Sequence, residues 1–256
     1  GDSKTPLYFL IISTITNIGL DLLFVLVFKW GIVGVAVATL ISQGGAFITA
    51  IIYLNRTHEI IKFSLFNLKF DKELFRKSIR IGLPTGVQQT VVALGMTALI
   101  AIVDKFGTSV IAAYTVAARI NSLATLPAMN FASALSTFVG QNLGAKKNHR
   151  VKRGLIATLK MSSVISILVS LLVVFEGEFI MGLFTNDAEV ISVGKEYLRI
   201  VGSFYLVFSA MFAITGVLRG AGATVIPMIT TVISLWLIRI PGAYFLSQKI
   251  GETGIW

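Results

Sequence analysis

Seven long apolar stretches run through this chain, and they constrain its fold more than any other feature of the sequence. Most have the roughly 20 apolar residues that a helix needs to cross about 30 Å of hydrocarbon. In lipid a helix satisfies its own backbone hydrogen bonds, whereas in water such a stretch would expose a long hydrophobic surface. The sequence therefore predicts an all-α integral membrane protein, a polytopic helical bundle with about seven transmembrane helices at 7–28, 32–54, 82–103, 109–142, 155–175, 196–218 and 225–246.

The composition fits a membrane protein and excludes several other classes. Hydrophobic residues make up 55% of the chain and charged residues only 13%, whereas a soluble domain carries about 25% charged residues. The chain has no cysteine, so it holds neither a disulfide framework nor a thiolate metal site. The formal net charge is +10, but the basic residues lie between the apolar stretches, which favours contact with anionic membrane lipid over nucleic acid.

The basic residues also predict the orientation of the chain in the membrane. If the spans alternate in direction, most Lys and Arg residues fall on one side, in the segments 55–80 and 146–153 and at Lys4 and Arg219. The opposite side receives few of them: Lys29, Lys105, Lys195, Arg199 and Lys249. Because cytoplasmic loops are enriched in Lys and Arg, we expect the N-terminus of the chain in the cytoplasm and its C-terminus outside.

The two ends of the chain resemble each other. Gly1 precedes Pro6 by five residues, as Gly222 precedes Pro227, and an apolar span, a lysine and a Gly-x-x-Gly pair follow each proline. Such weak symmetry is typical of transporters built from paired halves, here as parallel repeats. Between the repeats lies the polar segment 55–80, whose amphipathic pattern indicates a cytoplasmic linker that partly lies on the membrane surface.

Asp21 is the sharpest functional signal, because it is the only acidic residue well inside a predicted span. A charged group there costs about 2.5–3.5 kcal/mol on insertion scales, so it marks a functional site by default. Asn17 lies four residues earlier on the same helical face, and counting residues from the span ends places Thr39 of the next helix at the depth of Asp21. These oxygen donors suit Na⁺, and protonation of Asp21 would serve H⁺ equally well. The alternative is a structural carboxylate that pairs with a neighbouring helix.

A second group of residues predicts a substrate cleft. Gln88 and Gln89 lie about two turns from the end of their span, where their amides reach either a substrate or a neighbouring helix. Met and aromatic side chains suit adaptable, promiscuous binding, and ordinary packing is the alternative for each of them. The predicted cleft residues are Gln88, Gln89, Met96, Met211 and Phe212.

Several short motifs follow one another along nearly the whole chain. They are Gly82-Leu83-Pro84, Ala112-Ala113-Tyr114, Ala118-Arg119-Ile120, Phe138-Val139-Gly140-Gln141-Asn142-Leu143-Gly144-Ala145-Lys146-Lys147, Leu183-Phe184-Thr185-Asn186-Asp187, Tyr197-Leu198-Arg199 and Arg219-Gly220-Ala221-Gly222. Each is weak alone, but together they resemble the MATE (multidrug and toxic compound extrusion) family.

The resemblance implies a two-lobed transporter of twelve helices. It assigns 1–54 to the end of the N-lobe, 55–80 to an interlobe linker and 81–256 to the C-lobe, so we expect a fragment of a longer protein. Asn17, Asp21 and Thr39 resemble the N-lobe cation site of the family's DinF-like branch. The implied function is cation-coupled (H⁺ or Na⁺) multidrug efflux by a monomer in the plasma membrane, exporting amphiphilic or cationic small molecules, with no other cofactor.

Two other functions stay open on the sequence alone. A lipid-linked oligosaccharide flippase shares the same superfamily architecture, but we expect it to have a strongly cationic central cavity. Only three basic residues lie well inside the predicted spans, since Arg199 is at the start of one: Arg119, Lys160 and Arg239. A membrane enzyme would need clustered acids or histidines at one interface, and the sequence contains no such cluster.

Overall fold

A computed structural model of the chain describes residues 4–57 and 70–256. All the regular elements in these two ranges are helical, which confirms the predicted fold class. Six helical segments are long and apolar enough to cross a membrane, and a bent pair of shorter helices brings the number to seven if the pair is one broken span. The chain is therefore a multi-pass membrane protein. It divides into two compact units, Gly1–Asp71 and Lys72–Trp256.

The first unit is an antiparallel helical hairpin. Helix α1 spans Lys4–Leu22 and continues as a π-helix over Leu23–Val27, and α2 spans Gly31–Thr57. The turn between them is tight because Lys29 and Gly31 both have positive φ angles, of 56° and 55°. The predicted linker segment lies largely outside the described residues, at 58–69.

The second unit holds eight further α-helices within the described residues. Helices α3 (Lys72–Val103), α4 (Thr108–Gly144) and α5 (Asn148–Phe175) are the three longest. The others are α6 (Gly177–Gly182), α7 (Ala188–Gly202), α8 (Tyr205–Gly220), α9 (Val225–Val232) and α10 (Ile240–Ile250), with a second π-helix at Ile233–Arg239. Helix α3 begins well before the predicted span, so the residues 72–80 assigned to the linker are helical.

Helix α4 is the centre of this unit, since it packs against α5, α7 and α8. Its contact with α8 depends on glycine. A Cβ added to Gly216 would overlap the carbonyl oxygen of Ala132, and one added to Gly220 would overlap that of Ser136. Small residues at four-residue spacing allow two membrane helices to approach at backbone distance, where van der Waals packing holds them together.

The predicted span 196–218 corresponds to a bent pair of helices, because the helix breaks between α7 and α8 with a bend of 51°. The carbonyl oxygen of Gly202 accepts a hydrogen bond from Ser170 Oγ of α5 at 2.8 Å. A carbonyl at the end of a helix needs such a partner in lipid. The absence of a side chain at Gly202 also lets α5 approach, since an added Cβ would lie 3.2 Å from Val173 and Val174.

Candidate cation site in the first hairpin

Polar contacts fix the register of α1 against α2. Thr5 Oγ1 lies 3.3 Å from the hydroxyl of Tyr53 at one end of the hairpin, and Ser13 Oγ donates to the carbonyl of Ser42 at 3.1 Å. Further along, Asn17 Nδ2 donates to Thr39 Oγ1 at 3.4 Å. These contacts follow one antiparallel register, in which residues opposite each other have a nearly constant sum of residue numbers.

The register places Thr39 level with Asn17, so the prediction that Thr39 lies at the depth of Asp21 was wrong by one helical turn. Asp21 follows Asn17 by four residues on the same face of α1, about 6 Å further along the axis. The error arose because the depth was counted from the predicted ends of the spans. The hydrogen bond nevertheless brings Asn17 and Thr39 together, as predicted.

Asp21 has an unsatisfied oxygen. Its side chain is half-buried, and its Oδ1 atom is enclosed without a hydrogen-bond partner among the described residues. No Lys, Arg or His nitrogen of the described residues lies within 4 Å of this carboxylate. The ion pair found among those residues joins Lys195 and Glu178. A buried acceptor without a partner is costly, so this oxygen is the candidate acceptor for an external proton or cation.

The neighbouring groups add oxygen atoms rather than counter-charges. The hydroxyl of Thr39 donates its hydrogen to the carbonyl of Val35 at 2.9 Å and accepts from the amide nitrogen of Asn17. The amide oxygen of Asn17 is therefore left available to a cation. Carboxylate, amide and hydroxyl oxygens form the donor set that hard cations prefer.

A π-helix follows Asp21 almost immediately and closes the hairpin. It begins at Leu23, and the Phe28 N–H donates to the carbonyl of Leu23 at 3.1 Å. Phe24, Phe28 and Trp30 pack together with ring centroids 5.1–5.8 Å apart. Short π-helical segments occur frequently at functional sites. The sequence carried no signal for this element, because an apolar stretch reads the same in α and π geometry.

Gln88 lies in the second unit, where its side chain joins α3 to two other helices. Its Nε2 donates to the carbonyl of Pro227 at 3.1 Å and to Thr231 Oγ1 at 2.7 Å, both on α9. Its Oε1 accepts from a guanidinium nitrogen of Arg219, on α8, at 2.9 Å. The side chain is buried. These bonds favour the interhelical role that the sequence left open for Gln88 over contact with a substrate.

The other predicted cleft residues are distributed over the surface and interior of the second unit. Gln89 and Met96 on α3 are exposed, as is Met211 on α8. Phe212 is half-buried. The structure therefore places two of these residues on α3 and two on α8, and it does not join them into one described cavity. Their contact with a substrate stays a prediction.

Arg219 is a polar residue that sequence reasoning missed. It was placed on the cytoplasmic side just after the predicted span 196–218, yet it lies in the last turn of α8 and is half-buried. Its Nε atom is enclosed without a hydrogen-bond partner among the described residues. A basic residue at this end of a helix is favourable, since the terminal carbonyls carry partial negative charge.

A family model describes most of the second unit. The MatE model matches residues 84–245. The chain belongs to the MATE family. This confirms the resemblance drawn from the short motifs, most of which fall inside the matched range.

Relatives and solved structures agree with this membership. The chain is 33% identical over its whole length to "Probable multidrug resistance protein YpnP" of Bacillus subtilis, covering 57% of that protein. It is 28% identical to a "Probable multidrug resistance protein NorM" of Thermotoga maritima, covering 56% of that protein. Among solved structures, a MATE in the straight conformation has a TM-score of 0.91 at 21% identity, over 100% of this chain and 58% of the other. The chain thus spans a little over half the length of these proteins.

A second family model matches the other part of the chain. The model described as lipid II flippase MurJ matches residues 1–103, which include the first hairpin and α3. The two matches overlap only over residues 84–103 of α3.

Proposed function

We propose that the protein is a cation-coupled multidrug exporter that uses H⁺ or Na⁺ bound at Asp21. The observation that carries this proposal is the enclosed, unpartnered Oδ1 atom of Asp21. Retaining a carboxylate in a membrane helix costs about 2.5–3.5 kcal/mol on insertion scales. A cation that binds and leaves during each cycle gives a reason for retaining it.

The substrate class rests on the relatives. Proteins named for multidrug resistance match the whole of this chain, and exposed Met side chains such as Met96 and Met211 suit adaptable contact with varied molecules. We infer that the protein exports small amphiphilic or cationic compounds and acts as a monomer surrounded by membrane lipid. The basic ends of the spans face the cytoplasm under this proposal.

The mechanism follows from the charge change at Asp21. With Asp21 ionised and empty, the first hairpin carries an uncompensated charge, whereas protonation or Na⁺ binding neutralises it and draws in the amide oxygen of Asn17. The ionised and the neutralised forms of Asp21 therefore differ in how favourably the first hairpin packs against its surroundings. The ion shifts the equilibrium between inward- and outward-facing forms by no more than its differential affinity for them.

Asp21→Asn in the full-length protein tests this site. The amide does not titrate as a carboxyl does, and it offers Na⁺ no negative charge. We therefore expect drug efflux to lose its dependence on pH and external Na⁺. The matched control is Asp104→Asn, which changes the same group at the exposed end of α3. Retention of normal ion dependence by Asp21→Asn would remove the site assignment.

A flippase for lipid-linked oligosaccharides is the second candidate, because the MurJ model matches residues 1–103. Reconstituted protein distinguishes the two: transbilayer movement of a fluorescent lipid-linked oligosaccharide, without ion-driven drug uptake, would establish flippase activity. We expect the opposite pattern, since the described interior of the first hairpin holds an acid and no base.

A further inference from the structure

The first turns of α3 have features of a lipid-binding surface. Helix α3 contains 32 residues, which is about 48 Å of helix at 1.5 Å per residue. The hydrocarbon core takes about 30 Å. The far end of α3 is apolar up to Val103, so the excess falls at the Lys72 end. About ten residues of helix, Lys72–Ile81, therefore extend into the headgroup region.

The two faces of this segment differ in chemistry. Successive residues of an α-helix are 100° apart, which places Lys72, Arg76, Lys77 and Arg80 on one side together with Glu73. The other side carries four apolar residues, of which Leu74 is 61% exposed, Phe75 52%, Ile79 48% and Ile81 43%. A basic face opposite an apolar face is the pattern of helices that lie at a membrane interface.

Within the described ranges Arg76, Lys77 and Arg80 form no salt bridge, and the face carries more basic than acidic residues. Arg76, Lys77 and Arg80 are all exposed. The ion pair recorded in the described ranges is Lys195–Glu178, and it lies at the opposite ends of the spans. The same end of the bundle as Lys72 also carries the exposed basic start of α5, because α3, α4 and α5 alternate in direction. This excess of positive charge is complementary to an anionic surface.

We propose that Arg76, Lys77 and Arg80 bind the headgroups of anionic phospholipids, while the apolar face of Lys72–Ile81 lies against the acyl chains. This surface lies outside the proposed transport site, and its role is independent of the coupling ion. A basic residue near an anionic membrane surface strengthens binding by about fivefold. Three of them in one segment select anionic over neutral lipid.

The test compares lipid preference in two matched triple variants. Purified full-length protein is reconstituted in phosphatidylcholine vesicles that contain traces of spin-labelled phosphatidylglycerol or phosphatidylcholine, and electron paramagnetic resonance gives the ratio of the two association constants. We expect R76Q/K77Q/R80Q to lower the preference for phosphatidylglycerol by about fivefold or more. K29Q/K105Q/K249Q, which removes the same charge at the opposite ends of spans, should leave it unchanged.

Further variants separate this proposal from simpler explanations. The charge-conserving double variant R76K/R80K should keep the preference for phosphatidylglycerol. If R76Q/K77Q/R80Q does not give a monodisperse protein, the three single variants replace it. An unchanged preference in R76Q/K77Q/R80Q overturns the proposal, as does an equal loss in K29Q/K105Q/K249Q. Displacement of the labelled lipid by inorganic phosphate at matched ionic strength would instead establish a free-phosphate site and also overturn it.

Discussion

Gly216 offers a direct test of how α8 packs against α4. In the structure a Cβ at this position would overlap the carbonyl oxygen of Ala132 and lie 3.1 Å from its carbonyl carbon and Cα. All three are backbone atoms of a long helix, so no side-chain rotation relieves the contact. Gly216→Ala therefore forces α8 away from α4 along this part of the interface.

The expected magnitude combines two opposing effects. Alanine is favoured over glycine inside a helix by about 1 kcal/mol. Overpacking a tight contact typically costs about 1–3 kcal/mol, and the upper end applies here because backbone has to move. The net destabilisation is about 2 kcal/mol, which corresponds to a fall of about 4–8 °C in melting temperature for a domain of this size.

Thermal unfolding of the purified protein in detergent, followed by the loss of its monodisperse elution peak, measures this effect. Gly86→Ala is the matched control, since a Cβ at Gly86 of α3 would meet no atom within 4 Å. It should melt at or slightly above the wild-type temperature because it gains only helix propensity. If Gly216→Ala is as stable as Gly86→Ala, the close α4–α8 contact is refuted.

Two other predictions concern polar contacts of the second unit. Gln88→Leu leaves its buried hydrogen-bond partners unsatisfied, so it should lower the melting temperature clearly, whereas Gln89→Leu at the exposed neighbouring position should not; equal effects would contradict the interhelical role. The hydrogen bond from Lys195 lowers the pKa of the exposed Glu178 carboxyl, so the pair stabilises the protein above the ordinary carboxyl range and loses this effect as the pH falls through the lowered pKa. The small difference in melting temperature between wild type and Glu178→Gln should therefore disappear in acid, and a difference that persists there would argue against the ion pair.

Hydropathy predicted the long helices but not their interruptions. The apolar stretches identified every span, because transfer into lipid depends on the residues of one segment alone. The bend after α7 is accompanied by a hydrogen bond between Ser170 and Gly202, which are 32 residues apart in the chain. No short window along the sequence contains both partners, so the prediction of a span at 196–218 carried no information about a bend.

The polar residues likewise divide into those that one segment of sequence reveals and those whose role depends on a neighbouring helix. Asp21 stood out because a carboxylate inside an apolar stretch is costly wherever the helix packs. Arg219 did not, since its partial burial comes from the position of α8 beside Gln88 and it follows the end of the predicted span. The role of Gln88 likewise depended on which helix lies opposite, and only the structure supplies that partner.

The shared register of α1 and α2 has a mechanical consequence. Sliding one helix past the other by a single turn, about 5.4 Å, would separate Thr5 from Tyr53, Ser13 from the Ser42 carbonyl and Asn17 from Thr39 all together. Because three contacts would break together, such a slide is opposed, and the two helices hold their register as one pair. A small displacement of the hairpin beside Asn17 therefore also moves its Thr5 end, about 18 Å away along the axis.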